Sequence, residues 1–581
     1  MKKIWVTALC AAALGLGGCE RQSGQEHSGQ EHSGEGVTGS VQPEQAAAQP
    51  RSTTVQLNQA ALAQFEQDLH RHTAVLSADE FEGRAPATPG GEKTINYLQQ
   101  EFAALGLEPG NGDSYFQRVP VAEITTDPTA QLRIKAEGYT ADLAYGTEMV
   151  VFTQQQKERI AIEDSELVFV GYGINAPERD WNDYAGIDVA GKTVVILVND
   201  PGFITQDPAH FTGNAMTYYG RWTYKYEEAA RQGAAAALVI HDTAPAAYPW
   251  EVVPNSWSGP QIHLQRADKG ESKLPVEAWI HLQPATELLR AAGLDYDTLK
   301  REAAQPGFKA IPLNAAASFS LQNSIRYVES RNVIAKISGS ERADEVVIYM
   351  AHWDHLGRDT SLEGDQIYNG AVDNATGTAA LLALGRVFKA APPQRTVMFM
   401  AVTAEESGLL GSKFYGENPI YPHNKTVGAI NIDAMGSIGP VRDVTVIGHG
   451  FNQLQDYLAR HAQKQGRYIV PDQNAEKGFY YRSDHFSLAK HGVPALYAEG
   501  GHDSVAHGKE WGKQQQDDYT ANRYHKPGDE YHEEMDLSGA AQDLELYFYI
   551  GSDLANSNDW PGWNAGSEFK LIREKSRAEL K

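Results

Sequence analysis

Val346-Val347-Ile348-Tyr349-Met350 is an uninterrupted apolar run of strand length, and the polar segment His352-Trp353-Asp354-His355 begins two residues after it. Further apolar runs of strand length follow at residues 396–402, 427–432 and 493–497. The segment 375–389, between the first two runs, has the character of a helix. Strands that are apolar on both faces and are separated by helices are typical of a parallel sheet buried between helical layers. The predicted fold class is therefore α/β, with a doubly wound, mostly parallel sheet flanked by helices.

Acidic and imidazole side chains follow three of these runs and also occupy the loop after the first. Because ligands bind beyond the carboxyl ends of the strands in open α/β sheets, we expect these side chains to meet at one edge. They are His352, Asp354 and His355 after the first run, Asp373 in the loop, Glu405 and Glu406 after the second run, and Asp433 after the third. Oxygen and imidazole donors without thiolate suit zinc, manganese or cobalt. One tetrahedral zinc ion uses fewer ligands, so the set indicates a two-metal site that holds a bridging water.

The composition restricts the class of protein. The chain has 581 residues, more than one compact domain usually contains, and its 41% apolar and 22% charged residues are typical of globular proteins. A formal net charge of -25 repels phosphate backbones and anionic lipids, so we expect no nucleic-acid partner. The cysteines, Cys10 and Cys19, both lie near the amino terminus, so no disulfide is expected to stabilise the folded part.

The amino terminus resembles a bacterial lipoprotein signal. Two lysines precede the apolar segment 4–16, which is too short to span a bilayer and is typical of a signal peptide. Leu16-Gly17-Gly18-Cys19 resembles the lipobox, which implies that residues 1–18 are removed and that Cys19 is lipidated. Residues 19–56, which contain a repeated Ser-Gly-Gln-Glu-His pentapeptide, are predicted to form a disordered tether. We expect a lipid-anchored cell-envelope protein on the periplasmic side of the outer membrane, or a secreted protein if the signal is an ordinary secretory one.

Five motifs occur in order along the chain: Ala351-His352-Trp353-Asp354-His355-Leu356, Gly370-Ala371-Val372-Asp373-Asn374-Ala375-Thr376-Gly377, Thr403-Ala404-Glu405-Glu406 with Gly408-Leu409-Leu410-Gly411-Ser412, Asn431-Ile432-Asp433, and Tyr524-His525-Lys526-Pro527-Gly528-Asp529. This ordered set resembles that of the co-catalytic dizinc aminopeptidase family, which includes bacterial secreted zinc aminopeptidases. The resemblance covers about residues 60–135 and 320–555. It implies a hydrolase that holds two zinc ions, with manganese or cobalt as alternative metals.

The resemblance also assigns metal ligands. It implies that the carboxylate of Asp373 bridges both metal ions. His352 and Asp433 then complete one site, and Glu406 and His525 complete the other. Five side chains that lie far apart along the chain are therefore expected to surround one pair of ions.

Further roles follow from the same resemblance. It makes Glu405 the general base, which takes a proton from the bridging water and passes it to the departing amine. Asp354 is expected to accept the free ring N–H of His352 and so to orient that ligand. Tyr524 is a candidate donor to the oxyanion, with an ordinary buried aromatic residue as the alternative.

Three smaller expectations concern the surroundings of these residues. Asp529 lies four residues after His525 and is expected either to orient that imidazole or to cap the Pro-Gly turn between them. Family members often have a cis peptide after the bridging aspartate, so the bond between Asp373 and Asn374 is a candidate. Ser483-Asp484-His485 resembles a family motif near the substrate pocket, and we interpret it as structural.

The region 136–315 has its own strand signals and is predicted to be a β-rich module inserted into the larger domain. Gly171-Tyr172-Gly173 and Asp183-Tyr184-Ala185-Gly186-Ile187-Asp188 resemble the protease-associated domain of bacterial secreted peptidases. Residues 57–135 and 316–556 are then the two parts of the peptidase domain. Residues 557–581 are a carboxyl-terminal tail to which the sequence assigns no role.

A charge count suggests the reaction. The ligand carboxylates and a bridging hydroxide balance two divalent ions, and Glu405 then makes the pocket negative, which favours a substrate with a cation beside the scissile carbonyl. The free α-ammonium of a peptide is such a cation, so we expect peptide substrates and aminopeptidase activity. Carboxypeptidase or dipeptidase action, glutaminyl cyclase activity with a single zinc ion, and a binding protein on a degenerate peptidase scaffold remain the alternatives. The preferred first residue and the oligomeric state are left open.

Overall fold

The computed structural model describes residues 57–579. The signal peptide at 1–18, the lipidation site Cys19 and the tether at 19–56 lie outside the described residues and stay predictions. Among the helices of the described part, none is both long and apolar enough to cross a membrane.

Strands and helices alternate through most of this part of the chain. The strands are β1 (Glu108–Pro109), β2 (Phe116–Thr126), β3 (Gln131–Ala136), β4 (Tyr139–Leu143), β5 (Met149–Phe152), β6 (Arg159–Phe169), β7 (Asn175–Ala176), β8 (Trp181–Asn182), β9 (Thr193–Leu197), β10 (Ala236–His241), β11 (Pro260–Leu264), β12 (Val276–His281), β13 (Ile311–Ile337), β14 (Arg342–His352), β15 (Gly357–Arg358), β16 (Ile367–Tyr368), β17 (Arg395–Val402), β18 (Thr426–Asn431), β19 (Asp443–Ile447), β20 (Tyr468–Pro471) and β21 (Ala495–Gly500). The α-helices are α1 (Gln59–Leu76), α2 (Pro89–Ala104), α3 (Gly202–Thr205), α4 (Trp222–Arg231), α5 (Thr243–Ala246), α6 (Val252–Trp257), α7 (Leu282–Ala291), α8 (Tyr296–Ala303), α9 (Gly377–Ala390), α10 (Leu410–Glu417), α11 (Leu454–Lys464), α12 (His485–Ala489), α13 (Lys509–Asn522), α14 (Ser538–Asn556) and α15 (Lys570–Ala578).

The first sheet has a parallel centre in the order β17-β14-β18-β21. Its neighbours are antiparallel, since β13 pairs with β17 and β19 pairs with β21. The predicted α/β class is therefore confirmed, and the sheet is mixed, with parallel pairing concentrated at its centre. The four predicted apolar runs coincide with these central strands, although the last run begins two residues before β21 and the third ends one residue after β18.

Helices cover both faces of this sheet, because both faces of its central strands are apolar. Along β14, Val347 and Tyr349 belong to the core that α1, α9 and α14 complete. Ile348 and Met350 point to the opposite face and pack with Tyr415 of α10 and other buried apolar residues. This alternation fixes the register of β14, because a shift by one residue would exchange the two faces.

A second sheet is built mainly from residues of the predicted insert. Its parallel centre has the order β6-β9-β10-β12, and β5 pairs antiparallel with β12. The strand β13 pairs with β3 and β6 at its start and with β2 and β17 further on, so it joins both sheets. The second sheet therefore begins before the predicted boundary at residue 136, and β13 continues through the predicted boundary at residue 315. Its identity as a protease-associated domain stays a prediction.

The segment after α14 packs against the rest of the protein. Trp563 is buried, and its indole N–H donates to the Gly492 carbonyl at 2.8 Å. Phe569 is also buried and lies against Trp563, with ring centroids 5.0 Å apart. The Arg573 guanidinium donates to the main-chain oxygen of Thr426 at the start of β18. These contacts give the carboxyl-terminal segment a structural role that its sequence did not indicate.

Candidate metal centre

The ends of the central strands deliver polar side chains to one edge of the first sheet. His352 is the last residue of β14, Glu405 and Glu406 follow β17 closely, and Asp433 lies two residues after β18. Because β14 pairs in parallel with both β17 and β18, these ends lie side by side. The placement of polar residues at the carboxyl edge is as the sequence predicts.

The first group of donor atoms surrounds the ring of His352. Its Nε2 atom lies 3.1 Å from Oδ1 of Asp433 and 3.3 Å from Oδ1 of Asp373. Ser483 donates a hydrogen bond of 2.6 Å to the other oxygen of Asp433, which fixes the orientation of that carboxylate. The motif around Ser483 therefore contacts a predicted ligand directly.

The second group surrounds His525. Its Nε2 atom lies 3.2 Å from Oδ2 of Asp373 and 3.1 Å from Oε2 of Glu406. The two oxygens of Asp373 thus face two different imidazoles, as a bridging carboxylate requires. The structure brings together all five predicted ligands, and their binding of metal stays a prediction.

His355 belongs to the donor set that the sequence predicts at this edge, although the family resemblance assigned it no role. Its Nδ1 atom lies 2.7 Å from Oε1 of Glu406, on the opposite oxygen from His525. His525 contacts both Asp373 and Glu406, so it fits the ligand position better than His355 does. His355 instead orients the Glu406 carboxylate. Its position three residues after β14 placed it at this edge, but its contact with Glu406 required the tertiary structure.

The backbone around the ligands adopts uncommon conformations. The φ angles of Ala404, Ala434 and His525 are 54°, 55° and 54°, in the left-handed region that non-glycine residues rarely occupy. Such conformations cost on the order of 1 kcal/mol each and persist where the surrounding structure fixes them. Ala404 directly precedes Glu405, and Ala434 directly follows Asp433. The predicted cis peptide between Asp373 and Asn374 is also present.

The closeness of these groups changes their pKa values. Burial lowers the pKa of His525, but Asp373 and Glu406 raise it more, to about 10. In Glu406 burial raises the pKa, and so does Asp373, while His355 and His525 lower it to about 2 overall. Burial raises the pKa of Glu405 well above its usual value, and Glu406 adds to this effect while His352 opposes it.

Asp354 does not act as the sequence predicted. The Nδ1 atom of His352 lies 3.1 Å from the main-chain oxygen of Asp354, and no hydrogen bond joins that ring to the Asp354 carboxylate. The carboxylate instead accepts the main-chain N–H of Glu405 at 3.1 Å and that of Glu406 at 3.4 Å. Asp354 therefore contacts the His352 ring through its main-chain oxygen, while its carboxylate fixes the backbone of the two glutamates.

Asp529 also differs from expectation. Its two carboxylate oxygens accept the main-chain N–H groups of Val372 and Asp373, each at 3.0 Å. It neither orients His525 nor caps the turn with its side chain. It fixes the loop that carries the bridging aspartate, and this partner could not be inferred from sequence because the two segments are distant along the chain.

A buried arginine connects the loops beneath the site. The Arg84 guanidinium donates to the main-chain oxygens of Trp353 at 2.9 Å, Asn369 at 2.5 Å and Gly370 at 2.8 Å. It therefore joins the turn after His352 to the loop before the bridging carboxylate. Burial lowers its pKa to about 10, although the carboxylates of the site oppose this shift. Sequence gave no signal for Arg84, since all these partners are main-chain atoms.

Tyr524 lies at the entrance of the site. Its side chain is 43% exposed, so the alternative of an ordinary buried aromatic residue does not apply. Its ring stacks on His525 with centroids 4.0 Å apart. Tyr524 belongs to the wall of the cavity that contains the ligand groups.

The donor set fits zinc. Imidazole nitrogens and carboxylate oxygens are zinc donors, and no thiolate is present among the residues of the site. The donor atoms of His352, Asp373 and Asp433 all lie within 4.8 Å of one another. A tetrahedral ion with three protein ligands keeps its fourth coordination position for water or substrate. This arrangement is typical of catalytic zinc sites, whereas structural sites have four protein ligands.

The site opens into a cavity of about 340 Å³. His352, Asp373, Glu405, Asp433 and His525 lie on its wall together with residues from β19, β21 and the loops around them. A cavity of this size accommodates a ligand as large as a short peptide segment.

Comparison with known proteins agrees with this geometry. Residues 332–548 match the model of peptidase family M28. A protein of Pyrenophora teres f. teres named probable zinc metalloprotease is 32% identical over 132 residues, which are 21% of this chain and 27% of that protein. The mouse aminopeptidase NAALADL1 is 32% identical over 138 residues, 22% of this chain and 17% of that protein. The chain thus spans about a quarter or less of the length of these relatives.

Solved structures of similar proteins cover more of the chain. The aminopeptidase from Aneurinibacillus sp. strain AM-1 is 20% identical, with a TM-score of 0.47, and covers 85% of this chain and 95% of its own. The zinc aminopeptidase of Bacillus subtilis is 16% identical, with a TM-score of 0.41, and covers 85% and 96% respectively.

Proposed function

We propose that this protein is a metal-dependent aminopeptidase that removes residues from the amino terminus of peptides with two zinc ions. The observation that supports this most is the position of Asp373. One of its carboxylate oxygens faces the donor group around His352, and the other faces the donor group around His525. Glu405 lies on the same cavity wall and belongs to neither pair, as a general base should.

Two zinc ions, when bound, supply the Lewis acidity that makes a water molecule nucleophilic at neutral pH. The chain contributes the proton transfers and the positioning. Glu405 takes the proton that the water loses and returns it to the departing amine. The Asp354 carboxylate positions Glu405 by accepting the main-chain N–H of Glu405. The Tyr524 hydroxyl is a donor for the carbonyl oxygen of the substrate.

The negative charge of the cavity supports a substrate with a free amino terminus. Glu405 and Asp433 both line the cavity, and burial strengthens their attraction for a cation. A peptide α-ammonium lies next to the carbonyl that is cleaved, so these carboxylates attract the end of the chain that an aminopeptidase processes.

The experiment that tests this function compares peptides with free and acetylated amino termini. The purified protein is expected to release the first residue from the free peptide and to leave the acetylated one intact, and a chelator should abolish release. Amino acids are measured by chromatography, and metal by atomic emission. Cleavage of the acetylated peptide at its blocked end, or release that is unaffected by complete metal removal, would contradict the proposal.

Dipeptidase action is a second candidate, favoured by Arg482. This arginine lines the cavity and forms no ion pair in the described part of the chain; its guanidinium lies 5.4 Å from the centre of the Phe479 ring. A free guanidinium is suited to the carboxylate of a very short peptide. Dipeptides cleaved much faster than their carboxyl-terminal amides, with this difference lost in Arg482→Gln, would establish this candidate over a general aminopeptidase.

Cell-envelope attachment is a further part of the proposal. The lipobox resemblance supports lipidation at Cys19 and anchoring to the outer membrane, with the peptidase facing the periplasm. In a Gram-negative host, the wild-type protein is expected in the membrane fraction and Cys19→Ser in the soluble fraction. Equal distribution of both proteins would contradict the anchor.

The inserted module is proposed to be a protease-associated domain that restricts access to the cavity.

A further inference from the structure

Part of the cavity wall is formed by two neighbouring strands, β19 and β21. Their antiparallel register places Thr445 beside Glu499 and Ile447 beside Tyr497. Side chains two residues apart in a strand point to the same face, and these four residues all line the cavity. Glu499 is therefore part of the same enclosed space as the metal-ligand candidates.

The position of Glu499 relative to the metal centre follows from the sheet. Asn431 of β18 pairs with Tyr497 of β21, and Asp433 lies two residues beyond Asn431. Glu499 lies two residues beyond Tyr497 in the parallel direction. The two carboxylates thus belong to adjacent strand ends, and Asp433 is the strongest electrostatic neighbour of Glu499.

The Glu499 carboxylate forms no hydrogen bond or ion pair within residues 57–579, whereas the neighbouring carboxylates of Asp543 and Asp472 have partners. Asp543 is paired with Arg467 at 2.7 Å, and Asp472 accepts the main-chain N–H of Asn474 at 2.8 Å. Burial, followed by the carboxylates of Asp433, Asp472 and Asp543, raises the pKa of Glu499 to about 8. No cation among the described residues balances this group, and pairing with a cation that enters would lower this pKa and favour the ionised carboxylate.

Neither of the two arginines that line the cavity pairs with Glu499. Arg523 pairs with Asp518 at 3.3 Å. Arg482 packs on the ring of Phe479, and its electrostatic neighbours are tyrosines and not Glu499. A cation that enters with the substrate would therefore find Glu499 free to pair with it.

Apolar residues line the cavity between the charged groups. Ile438, Val441 and Ile447 contribute aliphatic surface, and Tyr497 contributes an aromatic ring. Lysine and arginine side chains pack their aliphatic stems on apolar surface and place the charged end beside polar groups. The wall around Glu499 has both features that such a side chain requires.

We propose that Glu499 selects peptides whose first residue is lysine or arginine, by pairing with the cation at the end of that side chain. This inference rests on the proposed aminopeptidase function and specifies its substrate class. Glu499 would not take part in the proton transfers of Glu405. It would add binding energy only for basic first residues.

The test compares kcat/KM for a panel of amino-acid amides in the metal-loaded wild-type protein, Glu499→Gln and Glu499→Lys. The wild type is expected to favour Lys and Arg amides over Leu and Met amides by about tenfold or more. Glu499→Gln should lower kcat/KM for the basic amides by about tenfold, mainly through KM, and leave Leu and Met amides within about twofold. Glu499→Lys should shift the preference toward Asp and Glu amides.

Several outcomes separate this inference from the proposed function. Activity on Leu and Met amides shows that each variant is folded and that the enzyme is an aminopeptidase. If those amides are cleaved but wild type does not favour basic residues, or Glu499→Gln leaves the ratio unchanged, the inference is wrong and the function stands. An equal loss for every amide would mean that Glu499 binds the α-ammonium, which also overturns the inference. No release from any amide would contradict the proposed function itself.

Discussion

Glu405→Gln is expected to lower kcat about 10³-fold while the metal content stays unchanged. Glutamine keeps the shape of the side chain but cannot accept the proton that the water must lose. The residue lies on the wall of the cavity and belongs to neither of the two ligand groups that Asp373 joins. The measurements are steady-state kinetics on a peptide with a free amino terminus and atomic emission analysis of the purified variant.

The matched control is Glu341→Gln, which makes the same chemical change on the surface. Glu341 is exposed and lies just before β14, at the opposite end of that strand from His352. Its kcat should equal that of the wild type. The Glu405 carboxylate also lies within 4.8 Å of donor atoms of His352 and Glu406. Loss of metal in Glu405→Gln would therefore reassign this residue as a ligand, and normal turnover would remove it from the mechanism.

The sequence predicts the centre of the fold well, because the decisive signal is local. The four apolar runs, the first of which begins at Val346, coincide with strands that are buried on both faces, except that β21 becomes half-buried toward its end. The carboxyl ends of parallel strands must share one edge, so the approximate positions of His352, Glu405 and Asp433 follow from the strands alone. The position of His525 could not be predicted from the strands, because only the family resemblance linked its motif to this edge.

The hydrogen bonds that hold the site together were much harder to predict from the sequence. Asp354 and Asp529 both accept main-chain N–H groups, and Arg84 donates to main-chain oxygens. Nearly every residue has the same main-chain N–H and C=O groups. The sequence of a segment therefore does not indicate which distant side chain will form hydrogen bonds with its main chain. The chemistry of these side chains was predictable, but their partners required the tertiary structure.

The boundaries of the insert illustrate a related difficulty. A strand signal is usually assigned to one domain, whereas β13 extends from Ile311 to Ile337 and pairs in both sheets. Its burial pattern alternates in one half and becomes almost continuous in the other. A boundary within such a strand has no turn or polar linker to mark it.

Asp373→Asn is expected to remove both metal ions and to lower activity at least about 10³-fold. The carboxylate of Asp373 is the group that faces both imidazoles, with one oxygen 3.3 Å from His352 and the other 3.2 Å from His525. Asparagine keeps the size of the side chain but loses one oxygen donor and the negative charge. Two divalent ions held close together repel each other strongly, so the loss of the shared anion weakens both sites at once.

Metal stoichiometry distinguishes this prediction from a simpler loss of one ligand. The variant should hold less than one metal ion per chain after dialysis, whereas a change confined to one site would leave about one. Asp113→Asn, a matched change at an exposed aspartate, should retain the full metal content and activity. Unfolding measured by circular dichroism should show that Asp373→Asn is folded at the assay temperature. A folded variant that keeps two ions would show that Asp373 does not bridge them, and the assignment of both ligand groups would then be wrong.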